Sequence, residues 1–196
     1  RQEAFLSDVQ GRDHVSLAEM ALDKDCRFLG LRVTTHAALG AYLSHFGAFI
    51  PTMAGSGMLA GLYQTPAIYV NVKGVMTNTV PTDAYRGAGR PEAAYLLERF
   101  VDHIGRETGL GPVEIRKRDQ IPWNTALGDT FDSGDFDNVM LKGMEKADWK
   151  GFPARRAASL AKGKWRGMGM ATYVEKCSGG APESAIAKFN EDDTIT

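Results

Sequence analysis

Hydrophobic positions along the chain repeat with two different periods, and each period predicts a different element. From His14 to Leu22, the apolar points Val15, Leu17, Met20 and Leu22 alternate loosely with polar neighbours. Asp23-Lys24-Asp25 is a turn signal. Phe28, Leu29, Leu31, Val33 and Thr35 then resume the alternation, so the two runs predict an antiparallel pair. Ile68 to Met76 alternates more cleanly, with Ile68, Val70 and Val72 on one side and Tyr69, Asn71, Lys73 and Val75 on the other. Two further strands are expected at the far end, Lys164 to Glu175 and Glu183 to Phe189. Asp192-Asp193-Thr194-Ile195-Thr196 reads as a hairpin turn whose second strand has barely begun. Ala4 to Val9 is short, mixed and strand-like.

The helical period is strongest from Pro91 to Thr108, where Ala93, Leu96, Leu97, Phe100, Val101 and Ile104 recur three and four residues apart. Gly109 is a natural stop. Pro112 opens a second helix through Val113, Ile115 and Arg118, and Pro122 closes it. Asp135 is placed to cap a third helix running through Met144 and Ala147, with Phe136, Val139 and Met140 expected inward. Trp149 to Ala161 predicts a fourth, whose outer face is basic through Arg155, Arg156 and Lys162. Ala37 to Phe49 fits a buried connector or a short helix. Met53 to Leu62, with Gly55, Gly57 and Gly61, fits a short, close-packed helix. Pro122 to Gly134 is expected to be loop.

Strand hairpins at both ends and helices in the middle give an α+β order rather than a βαβ alternation. All 196 residues are expected to form part of one domain, with a sub-boundary near residues 120–135. Both termini look cut, so the chain is expected to be an internal segment of a larger polypeptide.

Composition narrows the function classes. With 43% apolar residues the chain can build a core, and a formal net charge of -1 leaves no electrostatic footprint for nucleic acid and no polybasic membrane patch. No apolar run reaches the length of a membrane span. Cys26 and Cys177 stand far apart without a C-x-x-C, so neither a structural zinc nor an iron–sulfur cluster is indicated, and two reduced thiols in a cytoplasmic protein is the simpler reading. His14, His36, His45 and His103 form no ligand pair. Ser56 lacks the context of a hydrolase nucleophile. Glu175 and Glu183 bracket the loop Ser178 to Pro182, which lines a pocket or is a plain surface connection.

The most informative stretch is Thr82-Asp83-Ala84-Tyr85-Arg86-Gly87-Ala88-Gly89-Arg90-Pro91-Glu92. It joins the Ile68–Met76 strand to the best helix. Pro91 suits a first helical turn and Glu92 favours the same end. Strand, glycine loop and helix start often hold an anionic group or a cofactor, and Arg86 and Arg90 could add donors. A tight turn with solvated arginines is the competing reading. The spacing is neither the dinucleotide fingerprint nor a phosphate-binding P-loop.

That stretch strongly resembles the molybdenum-site loop of the molybdenum hydroxylases: xanthine dehydrogenase, aldehyde oxidase and the large chain of aerobic carbon monoxide dehydrogenase. Weaker landmarks follow in the family's order: Phe5-Leu6-Ser7-Asp8, Gly11-Arg12-Asp13-His14, Leu39-Gly40-Ala41-Tyr42-Leu43, Tyr63 to Ile68, Arg116-Lys117-Arg118, Asp132 to Phe136, and Arg166-Gly167-Met168-Gly169. The resemblance implies a molybdopterin-binding large subunit that hydroxylates an aldehyde or heteroaromatic substrate with water-derived oxygen. It implies molybdenum–molybdopterin in the full-length protein rather than on this segment alone. Iron–sulfur and flavin subunits or domains are implied as partners, and a homodimer of the large chain is compatible with it. The backbone amide of Arg86 is implied near the molybdenum, with Gly87 also at the cofactor and Ala88 at the substrate pocket.

Departures from the family refine this. Gly87 stands where carbon monoxide dehydrogenases carry a copper-binding cysteine, so that substrate is disfavoured. Ala88 stands where the xanthine enzymes carry a phenylalanine, which leaves room and disfavours a purine. Asp119 replaces the usual asparagine. The family's catalytic glutamate, its G-G-x-F-G loop and its glutamine-bearing loop all map outside these residues, so no catalytic residue is assigned and the isolated segment is expected to be inactive. The alternatives are a non-catalytic scaffold or assembly module of the same fold, and an unrelated small hydrolase.

Overall fold

The structure, a computed structural model, describes residues 2–121, 134–175 and 184–196. Strand β1 (His14–Leu22) pairs antiparallel with β2 (Phe28–Gly40), from His14 opposite Ala37 to Leu22 opposite Phe28, with a register shift between Ala21 and Leu22. The turn closes because the Asp23 carboxylate accepts the amides of Asp25 and Arg27 at 2.8 and 2.9 Å, with Cys26 at φ 62°. β3 (Ile68–Met76) pairs with β2 in parallel, giving the order β1-β2-β3. Parallel neighbours need a crossover. Residues 41–67 supply it, including a short π-helix at Ile50–Ala54.

The sheet is buried on one face only. Ala18, Met20, Leu31, Val33, Ile68 and Val70 meet Leu59 and Tyr63 of the crossover, and Ala93, Leu97, Val101 and Ile104 of α2 (Arg90–Glu107). Ile115 of α3 (Gly111–Asp119) completes this core. The other face is open to solvent and carries an Arg32–Glu19 ion pair at 2.6 Å across β1 and β2. Before the sheet, α1 spans Ala4–Ser7; after it come α4 (Phe136–Lys146) and α5 (Phe152–Leu160). Asp135 caps α4 by accepting the Asn138 amide at 3.2 Å.

A buried polar centre ties the helices to the rest. Arg116 is 0% exposed. Its guanidinium donates to Glu98 at 2.8 and 3.0 Å, to Asp102 at 2.7 Å, and to the carbonyls of Pro112 and Met170. Tyr63 donates its hydroxyl to Glu98 at 2.6 Å, and burial beside that carboxylate pushes the phenol's pKa up. Burial alone would lower the Arg116 pKa, but Tyr63, Glu98 and Asp102 outweigh it and hold the guanidinium charged.

The α+β architecture, the β1–β2 hairpin and the four principal helices match the sequence reading. Several details differ. The strand-like start folds as α1. β2 runs on to Gly40, because Ala37, Ala38 and Leu39 are small or apolar and β3 lies alongside. Val139 faces solvent, leaving Met140 as the buried residue of α4. Residues 164–175 form no strand: the Met170 carbonyl and Thr172 amide, which a ladder would use, are taken by Arg116 and Glu98. Residues 184–188 do not form the expected strand either: Phe189 makes a single bridge to Ile195, and Lys188 and Thr196 exchange two backbone bonds of 2.9 Å around a tight turn. The expected stop at Pro122, the loop at 122–133, Cys177, the Ser178 to Pro182 loop and Glu183 lie outside the described residues.

Candidate functional site

The loop from Thr82 to Gly89 is held at both ends and left accessible between. At its start, Thr82 donates its hydroxyl to the Ala38 carbonyl at 2.8 Å, and its own carbonyl accepts from Ser44 at 2.5 Å. Gln10 brackets it: its amide donates to the Pro81 carbonyl at 2.9 Å, and its carbonyl accepts from the Asp83 amide at 2.8 Å. Asp83 accepts the amides of Ala84 at 2.6 Å and Phe46 at 3.1 Å. Partial burial would raise its pKa, but these donors outweigh that and keep it below the usual value.

The centre is left-handed. Gly87, Ala88 and Gly89 have φ of 90°, 42° and 90°. At Gly89 the reason is contact as well as angle, because a Cβ there would lie 2.5 Å from the Ile50 carbonyl oxygen. At Gly87 a Cβ would lie 2.6 Å from the Pro91 ring. The Ala88 amide donates to Tyr85 at 2.7 Å and the Arg90 amide to Gly87 at 3.1 Å, and α2 begins there.

Arg12 reaches this loop from far away in sequence. Its guanidinium donates to the Arg86 carbonyl at 2.7 Å, stacks 4.7 Å over the Tyr85 ring and lies 3.6 Å from Glu92. Arg90 lies 3.6 Å from Glu175. The result is asymmetric. The Arg86 carbonyl is fixed, while the amides of Arg86 and Gly87 donate to no group among the described residues. Arg86 is exposed, and Gly87 and Ala88 are half-buried. Arg86, Gly87 and Ala88 are therefore together at one surface. The contact of Arg12 with this loop escapes the sequence reading. Its only signal is membership of the Gly11-Arg12-Asp13-His14 landmark, since nothing local pairs it with residue 86.

The model of the molybdopterin cofactor-binding domain family matches residues 1–119. The chain belongs to that family. This molybdopterin cofactor-binding domain chain is 32% identical over 193 residues to the carbon monoxide dehydrogenase large chain of Hydrogenophaga pseudoflava, covering 92% of this chain and 24% of that one. It is 28% identical to the 6-hydroxypseudooxynicotine dehydrogenase complex subunit gamma of Paenarthrobacter nicotinovorans, covering 100% of this chain and 26% of that one. Its fold superposes on the crystal structure of quinoline 2-oxidoreductase from Pseudomonas putida 86 with a TM-score of 0.70 and 30% identity, covering 83% of this chain and 21% of that one. The chain thus spans about a quarter of the length of the relatives it matches.

The donor set suits an anionic, oxygen-rich group. Among the described residues, no cluster of three or more histidine, cysteine or carboxylate side chains comes together to hold a bare metal ion. What the loop offers is backbone N–H groups next to arginines, which bind oxygen without ligating a metal. No helix among the described residues is long and apolar enough to cross a membrane.

Proposed function

We propose that this chain forms one wall of the molybdopterin site in the large subunit of an oxidoreductase that hydroxylates an aldehyde or heteroaromatic substrate. The observation that carries the reading is the left-handed Gly87–Gly89 turn, in which the Arg86 amide has no acceptor among the described residues while the Tyr85 carbonyl of the same peptide unit is held by the Ala88 amide at 2.7 Å. A fixed N–H of this kind orients an oxygen without adding a full charge. When bound, the molybdopterin would supply molybdenum for a two-electron oxidation using oxygen from water. In that setting the Arg86 amide would hold an oxygen of the group, Gly87 would permit its close approach, and Ala88 would leave space for substrate.

Gly87 supports the choice of substrate. It has no thiol for copper, and a side chain there would run into Pro91. This argues against carbon monoxide and for a carbon centre that needs no second metal. The names of relatives that are a large chain and a complex subunit support assembly with other subunits, and we propose iron–sulfur and flavin subunits as those partners. All 196 residues are proposed to belong to the molybdopterin-binding domain, with a sub-boundary near 120–135.

The test is molybdenum and pterin content of the full-length protein purified with its partner subunits. Molybdenum near one per large chain is expected, with turnover of aldehydes or nitrogen heterocycles. A properly matured complex holding neither molybdenum nor pterin would overturn the reading.

A further inference from the structure

Three successive carbonyls of the candidate loop are held, but not by the same means. The Tyr85 carbonyl accepts the Ala88 amide at 2.7 Å and the Gly87 carbonyl accepts the Arg90 amide at 3.1 Å, so local backbone secures both. The Arg86 carbonyl between them takes its bond from outside the turn, from Arg12 at 2.7 Å. A peptide unit is planar and no cis bond occurs among the described residues, so its C=O and N–H point in opposite directions. Holding the Arg86 carbonyl therefore fixes the direction of the Gly87 amide, which donates to no group among the described residues.

The segment that carries Arg12 is fastened to the loop. Gln10 bridges to Thr82 in parallel, and Gly11 passes so close that a Cβ there would lie 2.9 Å from the Tyr85 Cβ. Arg12 itself has a left-handed φ of 65°, which a residue with a side chain keeps only where its surroundings over-determine it. Its guanidinium is caught on two further sides, by the Tyr85 ring at 4.7 Å and by Glu92 at 3.6 Å from Nε. Glu92 is the better shielded partner, its side chain 15% exposed. The planar fork presents Nε and Nη2 in fixed directions, where a lysine offers one point charge. We propose that Arg12 is a positioning residue: through the Arg86 carbonyl it aims the Gly87 amide at the oxygen-rich group the loop receives, and Tyr85 and Glu92 keep it in that pose. The identity of that group rests on the molybdopterin reading above; the brace itself does not.

Arg12→Met and Arg12→Lys are compared with the parent in the full-length protein purified with its partner subunits. Hydrogen–deuterium exchange read by mass spectrometry needs no metal. Arg12→Met is expected to speed exchange in peptides spanning 83–89 by roughly fivefold or more, with peptides of β1, β2 and β3 unchanged. In preparations that retain the parental molybdenum content, it is expected to lower kcat by about tenfold while KM moves less than about twofold, because a donor is misaimed and substrate binding is not lost. Arg12→Lys keeps one donor for the carbonyl and is expected to stay within roughly threefold of the parent. Unchanged exchange at 83–89 overturns the proposal. So does a kcat that falls only in proportion to lost molybdenum, or a lysine variant as impaired as the methionine one, since either leaves Arg12 a structural contact. A parent complex without molybdenum or pterin sinks the proposed function instead, and the exchange result alone then decides for or against the brace.

Discussion

Single residues in this chain make contacts that their neighbours in sequence do not reveal. The Asp119 side chain accepts the Phe28 amide at 2.9 Å, joining α3 to the start of β2. The other carboxylate oxygen is buried without a partner. Burial raises the Asp119 pKa, opposed by the Phe28 amide and nearby Arg27. A raised native-state pKa means that the protonated form is favoured in the fold. That stabilisation is full below the unfolded value near 3.8 and is lost as pH rises through the higher native value. Asp119→Asn keeps the acceptor and never ionises. It is therefore expected to be more stable than the parent by about 1–3 kcal/mol near pH 8, with the gain shrinking toward pH 4, as read from urea unfolding. Arg116 predicts the opposite sign. Arg116→Met leaves Glu98 buried without its cation and is expected to cost about 3–5 kcal/mol, while Arg116→Met with Glu98→Leu recovers most of it. An unfolding series that shows no recovery in the double variant would contradict this account.

At the scale of elements, local periodicity carries most of what is legible in the sequence. β1, β3 and α2 follow from their apolar spacing, and α4 from spacing plus a capping aspartate. The extension of β2 is not legible, because it depends on a parallel partner from a later stretch of sequence. The expected strand at 164–175 fails for a related reason: the pattern of alternating residues is present, but side chains of α2 and α3 occupy the backbone groups a strand would have used. The candidate loop is recognisable from Thr82 to Glu92, yet its Arg12 clamp is not, since the two meet only through the fold. The glycines of that loop yield a direct test. Gly89→Ala meets both a φ of 90° and the Ile50 carbonyl. It is expected to lower stability by about 1–3 kcal/mol and to reduce the molybdenum retained by the full-length protein. Thermal melts and metal analysis on the same preparation check both, and a variant that melts and loads like the parent would show that the turn is not constrained.

For the molecule as a whole, the parallel contact between β2 and β3 has a consequence in time. The β1–β2 hairpin closes over a five-residue turn, 23–27, and can form as soon as residue 40 has left the ribosome. β3 cannot join until 41–67 have been made and brought across, so its pairing carries the larger loop-closure entropy. The loop at 82–89 comes later still, because it is pinned to Gln10, Ala38 and Ser44, which must already be in place. Until then β2 exposes a second unpaired edge rich in Leu, Val and Ala, the sort of surface that neighbouring nascent chains adhere to. The order of synthesis therefore makes the interval before β3 emerges, rather than the one before the loop closes, the time when this polypeptide is most open to such contacts.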